Sequence, residues 1–283
     1  MSHWLHSIDV WLYQLLSQMW DLYAPIGAVV LALTLVERHH AVEPVQPWRT
    51  LRFNLAWHAL VLALFLASSW TIWGDVIVWL TASGPALFAR LPAPDSITGE
   101  IARAALAIVV YDFFAYWAHR LQHASGVFWA VHQFHHEEQS LSSASSLRAH
   151  WLNVPFTQIF VLVPMMWLVG LDAMPNAAFF FLGTFTALSH SNMNLSFGAV
   201  GRILVSPRYH RLHHARARHL HDHNFAALLP VWDHLFGTYR PPDPARQIQT
   251  GVEGVVPTST YGSAFLQPIA IWHQMLRRRA ARV

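Results

Sequence analysis

Apolar runs, interrupted by Pro, Gly and Arg, set out the elements of this chain. Met1 to Trp20 is rich in Trp, Leu and His and carries no Lys or Arg. It lacks the basic start of a cleavable signal peptide and reads as an amphipathic helix at a membrane interface. An apolar run from about Leu22 to Val36 follows, short against the about 20 residues that cross a bilayer. It stops at Glu37, Arg38, His39 and His40, and a polar link with Pro44, Pro47, Arg49 and Arg52 comes next. Leu55 to Trp73 reads as a full span with Trp57, Trp70 and Trp73 near its ends, where aromatic belts form. Val76 to Leu91, broken by Gly84 and Pro85, reads as a re-entrant or interfacial piece, and Pro92, Pro94 and Gly99 mark a loop. Ile101 to Trp117 is the next span. A polar stretch, Glu137 to Ser146, precedes a fourth span, Leu152 to Leu171, and a shorter fifth, Asn176 to Leu188. From Ser191 onward no run is long enough to cross, and no internal repeat is apparent.

The expected fold is therefore an all-α integral membrane protein with about four to five transmembrane helices. Arg38, Arg49, Arg52, Arg120, Arg202, Arg208 and Arg211 fall on one side of these spans, which makes that side cytoplasmic; Arg90 and Arg103 lie on the other. Composition agrees: of 283 residues, 54% are hydrophobic and only 12% charged, about half the usual share of a soluble domain. The net charge of +3 is small, and Arg277, Arg278 and Arg279 form a terminal cluster suited to an anionic lipid surface or to a solvated tail. With no cysteine, disulfides, thiolate zinc sites and iron–sulfur clusters are excluded.

Histidine changes the picture. His119 and His123 are followed by His132, His135 and His136, five imidazoles within eighteen residues, and His210, His213 and His214 repeat the second grouping downstream. Residues three and four apart share a helical side, so each group presents a cluster, and neutral imidazole is the commonest metal ligand. Eight imidazoles are too many for one ion and suit two; His190, at the end of the fifth span on the same side, is a ninth candidate. On ligand type alone the metal is Fe, Cu, Ni or Zn. His150 is a ligand, an outer partner or an interfacial residue. His219, His221 and His223 alternate at period two, which is not a helix-face pattern, although one of them could approach the site. His3, His6, His39, His40, His58 and His273 read as isolated interfacial residues. Metal-bound His donates its second N–H to a carboxylate or carbonyl; Asp112, seven residues before His119, and Asp222 and Asp233 are candidate acceptors.

These strings resemble the fatty acid hydroxylase / sterol desaturase superfamily of membrane oxidoreductases. The matching residues are Tyr111-Asp112, Trp117 to Arg120 with His123, His132 to His136, Leu147 to His150, His190 to Asn192, Ser206 to His214, Asp222 to Phe225, and Trp232 to Tyr239. They cover about residues 108 to 240, in the family's order; the first hundred residues match only in being hydrophobic. The C-terminal string, with Ala226 after Asn224-Phe225, is similar to the alkylglycerol monooxygenase branch. The resemblance implies a cytoplasmic histidine-rich helical cap, a di-iron centre held by the nine histidines, O2 as co-substrate, and an external electron donor of cytochrome b5, ferredoxin or flavoprotein type. It implies hydroxylation or desaturation of a C–H bond in a fatty acyl, sterol or ether lipid, with no acid or base needed outside the metal centre. Asn224 belongs to the same motif as a possible outer partner. Two departures stand out. Asn194 lies near where the family often has a second His, leaving nine ligands or a tenth from His150 or His221. Trp151 and Asn153 stand where it often has Pro and Glu. The expected organisation is a hydrophobic region over 1–100, a catalytic domain over 101–240 and a cytoplasmic tail over 241–283. The alternatives are a His-rich metal transporter or scaffold, and a metal-dependent lipid hydrolase using Glu137 or Glu138 as base.

Overall fold

The computed structural model describes residues 2–68, 84–85, 87, 91, 95–170, 175–243 and 248–280. The expected re-entrant piece from Val76 to Leu91, the end of the expected second span with Trp70 and Trp73, and Pro92 and Pro94 of the expected loop lie almost wholly outside them. Among the described residues the chain is all-helical, with one isolated antiparallel bridge between Ala215 and Thr250.

The helices are α1 (Ser2–His40), α2 (Trp48–Ser68), α3 (Ile97–Ala124), α4 (Gly126–His136), α5 (Asn153–Val169), α6 (Asn176–Ser189), α7 (Pro207–His213), α8 (Val231–Leu235) and α9 (Tyr261–Ala280). The first two expected elements are one: α1 runs unbroken through Pro25. Proline removes a single backbone donor, and the Leu- and Ala-rich chain on both sides keeps the helix going. Arg38, His39 and His40 form its last turn, where the Arg38 cation suits the negative end of a helix dipole.

Helix α3 exceeds its expected bounds at both ends. Ser96 caps it by accepting from Gly99 N at 3.0 Å, so Gly99 sits in the first turn and not in a loop. The helix then continues two turns past Trp117, which places His119 and His123 on the apolar helix itself. Among the described residues α3 is the one helix long and apolar enough to cross a membrane; α5 and α6 are apolar but shorter. A π-helical segment, Gln158–Leu162, lies within α5 between Pro155 and Pro164, where the missing N–H of Pro164 loosens the ladder.

Packing brings the helix ends together. Ala107 and Val110 of α3 meet Met165 and Val169 of α5 and Ala178 of α6. Helix α1 lies along α6, with Ile26 so close to Gly183 that an added Cβ would fall 2.5 Å from it. Glu37 is buried at the end of α1 and accepts from Ser143 N at 2.7 Å and Asn192 N at 3.0 Å, tying the chain on either side of the site. Arg211 is buried and paired with Glu43 at 2.6 Å, an internal staple.

Candidate metal centre

Four elements deliver nine histidines to one place. The last two turns of α3 present His119 and His123, and α4 presents His132, His135 and His136. His190 caps the C-terminus of α6, and α7 with its cap residue presents His210, His213 and His214. They divide into two clusters, each with its nitrogens within 4.8 Å of one another: His119, His123, His132, His136 and His213, and His135, His190, His210 and His214.

The division refines the expected pattern. Each His-x-x-His-His string splits: its i, i+4 pair enters one cluster and its i+3 member the other. The two strings split in opposite senses, so His132 and His136 join His213, while His210 and His214 join His135. The intermediate residue points to one side of the pair and reaches across. The clusters meet where the His136 and His214 rings stack, 4.3 Å between centroids.

The inner nitrogens crowd. Nε2 of His136 lies 3.2, 3.1 and 3.1 Å from those of His123, His132 and His213. Nε2 of His190 lies 3.1 Å from that of His135 and 3.0 Å from that of His210, which is 3.1 Å from that of His214. Four of the outer nitrogens have carbonyl partners, while those of His210 and His214 are buried without one. His119 Nδ1 donates to Phe225 O (2.8 Å), His135 Nδ1 to Arg148 O (3.1 Å), His190 Nδ1 to Thr186 O (2.8 Å) and His213 Nδ1 to His223 O (2.9 Å). That assigns their single proton to Nδ1 and leaves a bare lone pair on Nε2. The Nε2 atoms of His135 and His190 therefore face each other lone pair to lone pair, and His119 Nε2 is buried without a partner. Burial also drives His132, His135, His136, His210, His213 and His214 well below the usual imidazole pKa, so protonation does not relieve the crowding. Two nitrogens bound to one ion at about 2.0–2.1 Å would stand about 3 Å apart. The donor set thus fits a metal ion in each cluster.

The other candidates sit further out. The Asp112 carboxylate accepts from Leu228 N and Leu229 N, both 2.8 Å, and from Trp232 Nε1 at 2.9 Å, and so meets no histidine. Its helical side is shared with His119, but the incoming loop brings unpaired N–H groups that claim it. Asp233 accepts from Phe225 N, Ala226 N, Thr238 Oγ1 and the Tyr209 hydroxyl, and acts on His119 only through the Phe225 carbonyl. Asn224 is held in the left-handed region (φ 60°) and bonds Tyr209 O and both backbone groups of Arg240. Asp222 comes within 3.6 Å of His123 Nδ1. His150 lies in neither cluster; its Nε2 faces Phe265 O and its Nδ1 accepts from Leu152 N. His221 meets His223 Nδ1 only through its backbone carbonyl and lies in neither cluster, and Asn194 is exposed. Glu137 is claimed by the buried Arg148, Thr258 N and Gln267, and Glu138 by Asn54 and Ser140 N, so neither faces the histidines as a base. The carbonyl acceptors carry no signal in the sequence, because a backbone oxygen has no residue type.

A cavity of about 220 Å³ opens beside the clusters. His119, His132, His135, His190 and His210 form one end; Tyr111, Ala115, Ala118, Phe156, Val161, Leu182 and Phe185 supply apolar walls from α3, α5 and α6. Gln122 and Asn153, joined at 2.8 Å, add a polar edge.

The fatty acid hydroxylase family model matches residues 104–238, the stretch that holds all nine histidines. Human alkylglycerol monooxygenase is 32% identical over 133 residues, 47% of this chain and 29% of that protein. An ornithine lipid hydroxylase of Rhizobium tropici is 30% identical over 155 residues, 53% of this chain and 46% of its own length. A very-long-chain aldehyde decarbonylase of rice is 23% identical over 154 residues, 50% of this chain and 24% of its own. The chain thus spans less than half the length of each of these relatives. No solved structure matches.

Proposed function

We propose that this chain, whose residues 104–238 are of the fatty acid hydroxylase family, is an O2-dependent di-iron hydroxylase or desaturase acting on a C–H bond of a membrane lipid. The observation that carries the reading is the set of nine convergent imidazoles opening onto an apolar cavity. The nine histidines are the proposed ligands, with Asp222 as an outer partner of His123. Iron, when bound, supplies the redox chemistry that activates O2 against an unactivated C–H bond. The chain supplies the rest. Nδ1 hydrogen bonds to Phe225, Arg148, Thr186 and His223 carbonyls fix ring orientation and keep each Nε2 available as a ligand. Tyr111, Phe156, Leu182 and Phe185 exclude water and align an acyl or alkyl chain so that one carbon faces the His119, His135 and His210 end. The relatives' names point to ether-lipid and aminolipid substrates as well as fatty acyl ones.

The same reading includes several membrane passes, the histidine cap on the cytoplasmic face, a catalytic domain over 101–240 and electrons from a separate donor protein. The transporter and hydrolase alternatives are not favoured, since the nine histidines gather at helix ends and in short helices and both glutamates are engaged elsewhere. Purified protein is expected to hold two iron ions per chain and to consume O2 only with reductant and lipid. Tightly bound zinc without O2 uptake overturns the proposal. Lipidomics of a deletion strain names the product.

A further inference from the structure

The C-terminal segment, expected as a cytoplasmic tail, is a 20-residue helix with two different apolar faces. One is packed. Ala264 and Pro268 are buried, Trp272 Nε1 donates to Val127 O at 2.9 Å, and Met275 covers Gly126 so closely that a Cβ there would lie 2.8 Å from its Cε. The other face is left open among the described residues over Leu266, Ile269 and Leu276, with only one side of Phe265 covered. Phe265, Ile269 and Leu276 fall within about 40° around the axis at about 100° per residue, with Leu266 alongside; Leu266 is 54% and Leu276 64% exposed. Three large aliphatic side chains and one side of a phenylalanine left open in this way are not the surface of a solvated tail.

Charge and neighbours identify what covers them. From Gly254 to the end of the sequence there is no Asp or Glu, and Arg277, Arg278 and Arg279 follow Leu276 directly. Arg277 and Arg278 are exposed. The open face adjoins exposed Tyr261, and Phe265 stacks on Trp151 at 4.9 Å, next to the start of α5. On the other flank, exposed Val127 and Trp117 lie at the histidine end of α3, the membrane-spanning candidate. An apolar strip with aromatic residues at its margin, a cationic end and no acidic residue fits an anionic lipid surface and repels a basic partner.

We propose that α9 lies in the plane of the anionic cytoplasmic leaflet, its Phe265–Leu276 face in the acyl boundary and its arginines among the headgroups. The proposal rests on the reading of the chain as a membrane-spanning protein. An in-plane helix clasping α4 would fix the depth of the histidine cap against the bilayer.

The cysteine-free sequence makes the test direct. Single substitutions Leu266→Cys, Leu276→Cys, Gln274→Cys and, mid-way along α3, Val109→Cys carry an environment-sensitive fluorophore. Each protein is placed in phosphatidylcholine vesicles with about one quarter phosphatidylglycerol, the membrane charge that arginine clusters read. Label at Val109 is expected to be quenched by lipid brominated deep in the chain, and at Leu266 and Leu276 by lipid brominated near the headgroup. Label at Gln274 is expected to be quenched by aqueous iodide. Quenching at Leu276 should weaken in pure phosphatidylcholine and in the Arg277→Gln/Arg278→Gln variant. Val109 quenched by lipid with Leu266 and Leu276 open to iodide overturns the in-plane helix alone. Leu266 and Leu276 shielded from both quenchers means a protein covers the face, which also overturns it. Loss of lipid quenching at Val109 itself sinks the membrane-spanning reading and the proposal with it. Insertion independent of phosphatidylglycerol overturns the anionic-leaflet assignment.

Discussion

The five-histidine and four-histidine clusters are built from the same string used in opposite senses, yet they are held differently. The four-histidine cluster is gripped from inside the fold. His135 leans on the carbonyl of Arg148, a fully buried side chain that also bonds Glu137, Asn54 and Thr258 O, and His190 closes onto its own helix at Thr186. The five-histidine cluster is held by one loop, buried at Asn224 and Phe225 and exposed at its Asp222 rim. Its outer partners are Asp222, which is exposed, and the carbonyls of His223 and Phe225, in a stretch where Asp222 and Asn224 both have positive φ. Left-handed conformations at non-glycine residues persist only where the surroundings enforce them. One cluster is thus fastened within the core, and the other by a loop that runs from a buried base to an exposed rim.

The largest expected effect comes from removing an inner nitrogen on each side. His135→Ala and His213→Ala should each lower activity by more than about 100-fold, the upper end for outer partners of a metal site. Each should also cost one of two irons, measured by elemental analysis. Loss of both irons from either variant would make the two clusters a single unit and break the comparison. Full iron and activity in both would sink the ligand assignment.

Acid comes next. Burial holds His190 down at about 4, against an ordinary 6.5, and several neighbours are also well below it. The unfolded chain therefore binds more protons than the folded one between those values. Stability of chelator-treated protein should be complete above about pH 6.5 and fall steadily toward pH 4. Thermal unfolding at a series of pH values checks this, and a flat profile contradicts the burial of neutral imidazoles.

Arg148→Met leaves Glu137 charged and buried without its partner, a change worth about 3–5 kcal/mol in comparable buried pairs. A lower Tm with weakened four-histidine iron is expected, while five-histidine iron is retained. The smallest effect belongs to the rim: Asp222→Asn should weaken iron in the five-histidine cluster by roughly 10-fold and leave the other cluster and Tm unchanged. Equal weakening of both clusters by Asp222→Asn would remove the distinction between rim and core.

The histidines are legible because helical spacing and positions at the ends of apolar runs are local properties, written in residue order. So are the apolar character of α3, α5 and α6 and the family resemblance, since motifs are strings. The start of α3 is not legible, because Gly99 after two prolines looks like a loop until the Ser96 cap bond joins it to the helix, and α9 is not legible because its apolar strip is too amphipathic to register as a span. Asp112 and Asp233 were right in type and wrong in partner: a carboxylate bonds whichever donors the fold brings, and here these were mostly the backbone N–H groups of 225–229.

What the sequence determined by itself was a set of imidazoles at i, i+3 and i+4, enough for two ions, attached to apolar helices. Only the tertiary structure decided which nitrogen belongs to which ion. A helix orients its side chains about its own axis, but the division between two clusters depends on how α3, α4, α6 and α7 lie against one another, and that is set by packing among residues far apart in the chain.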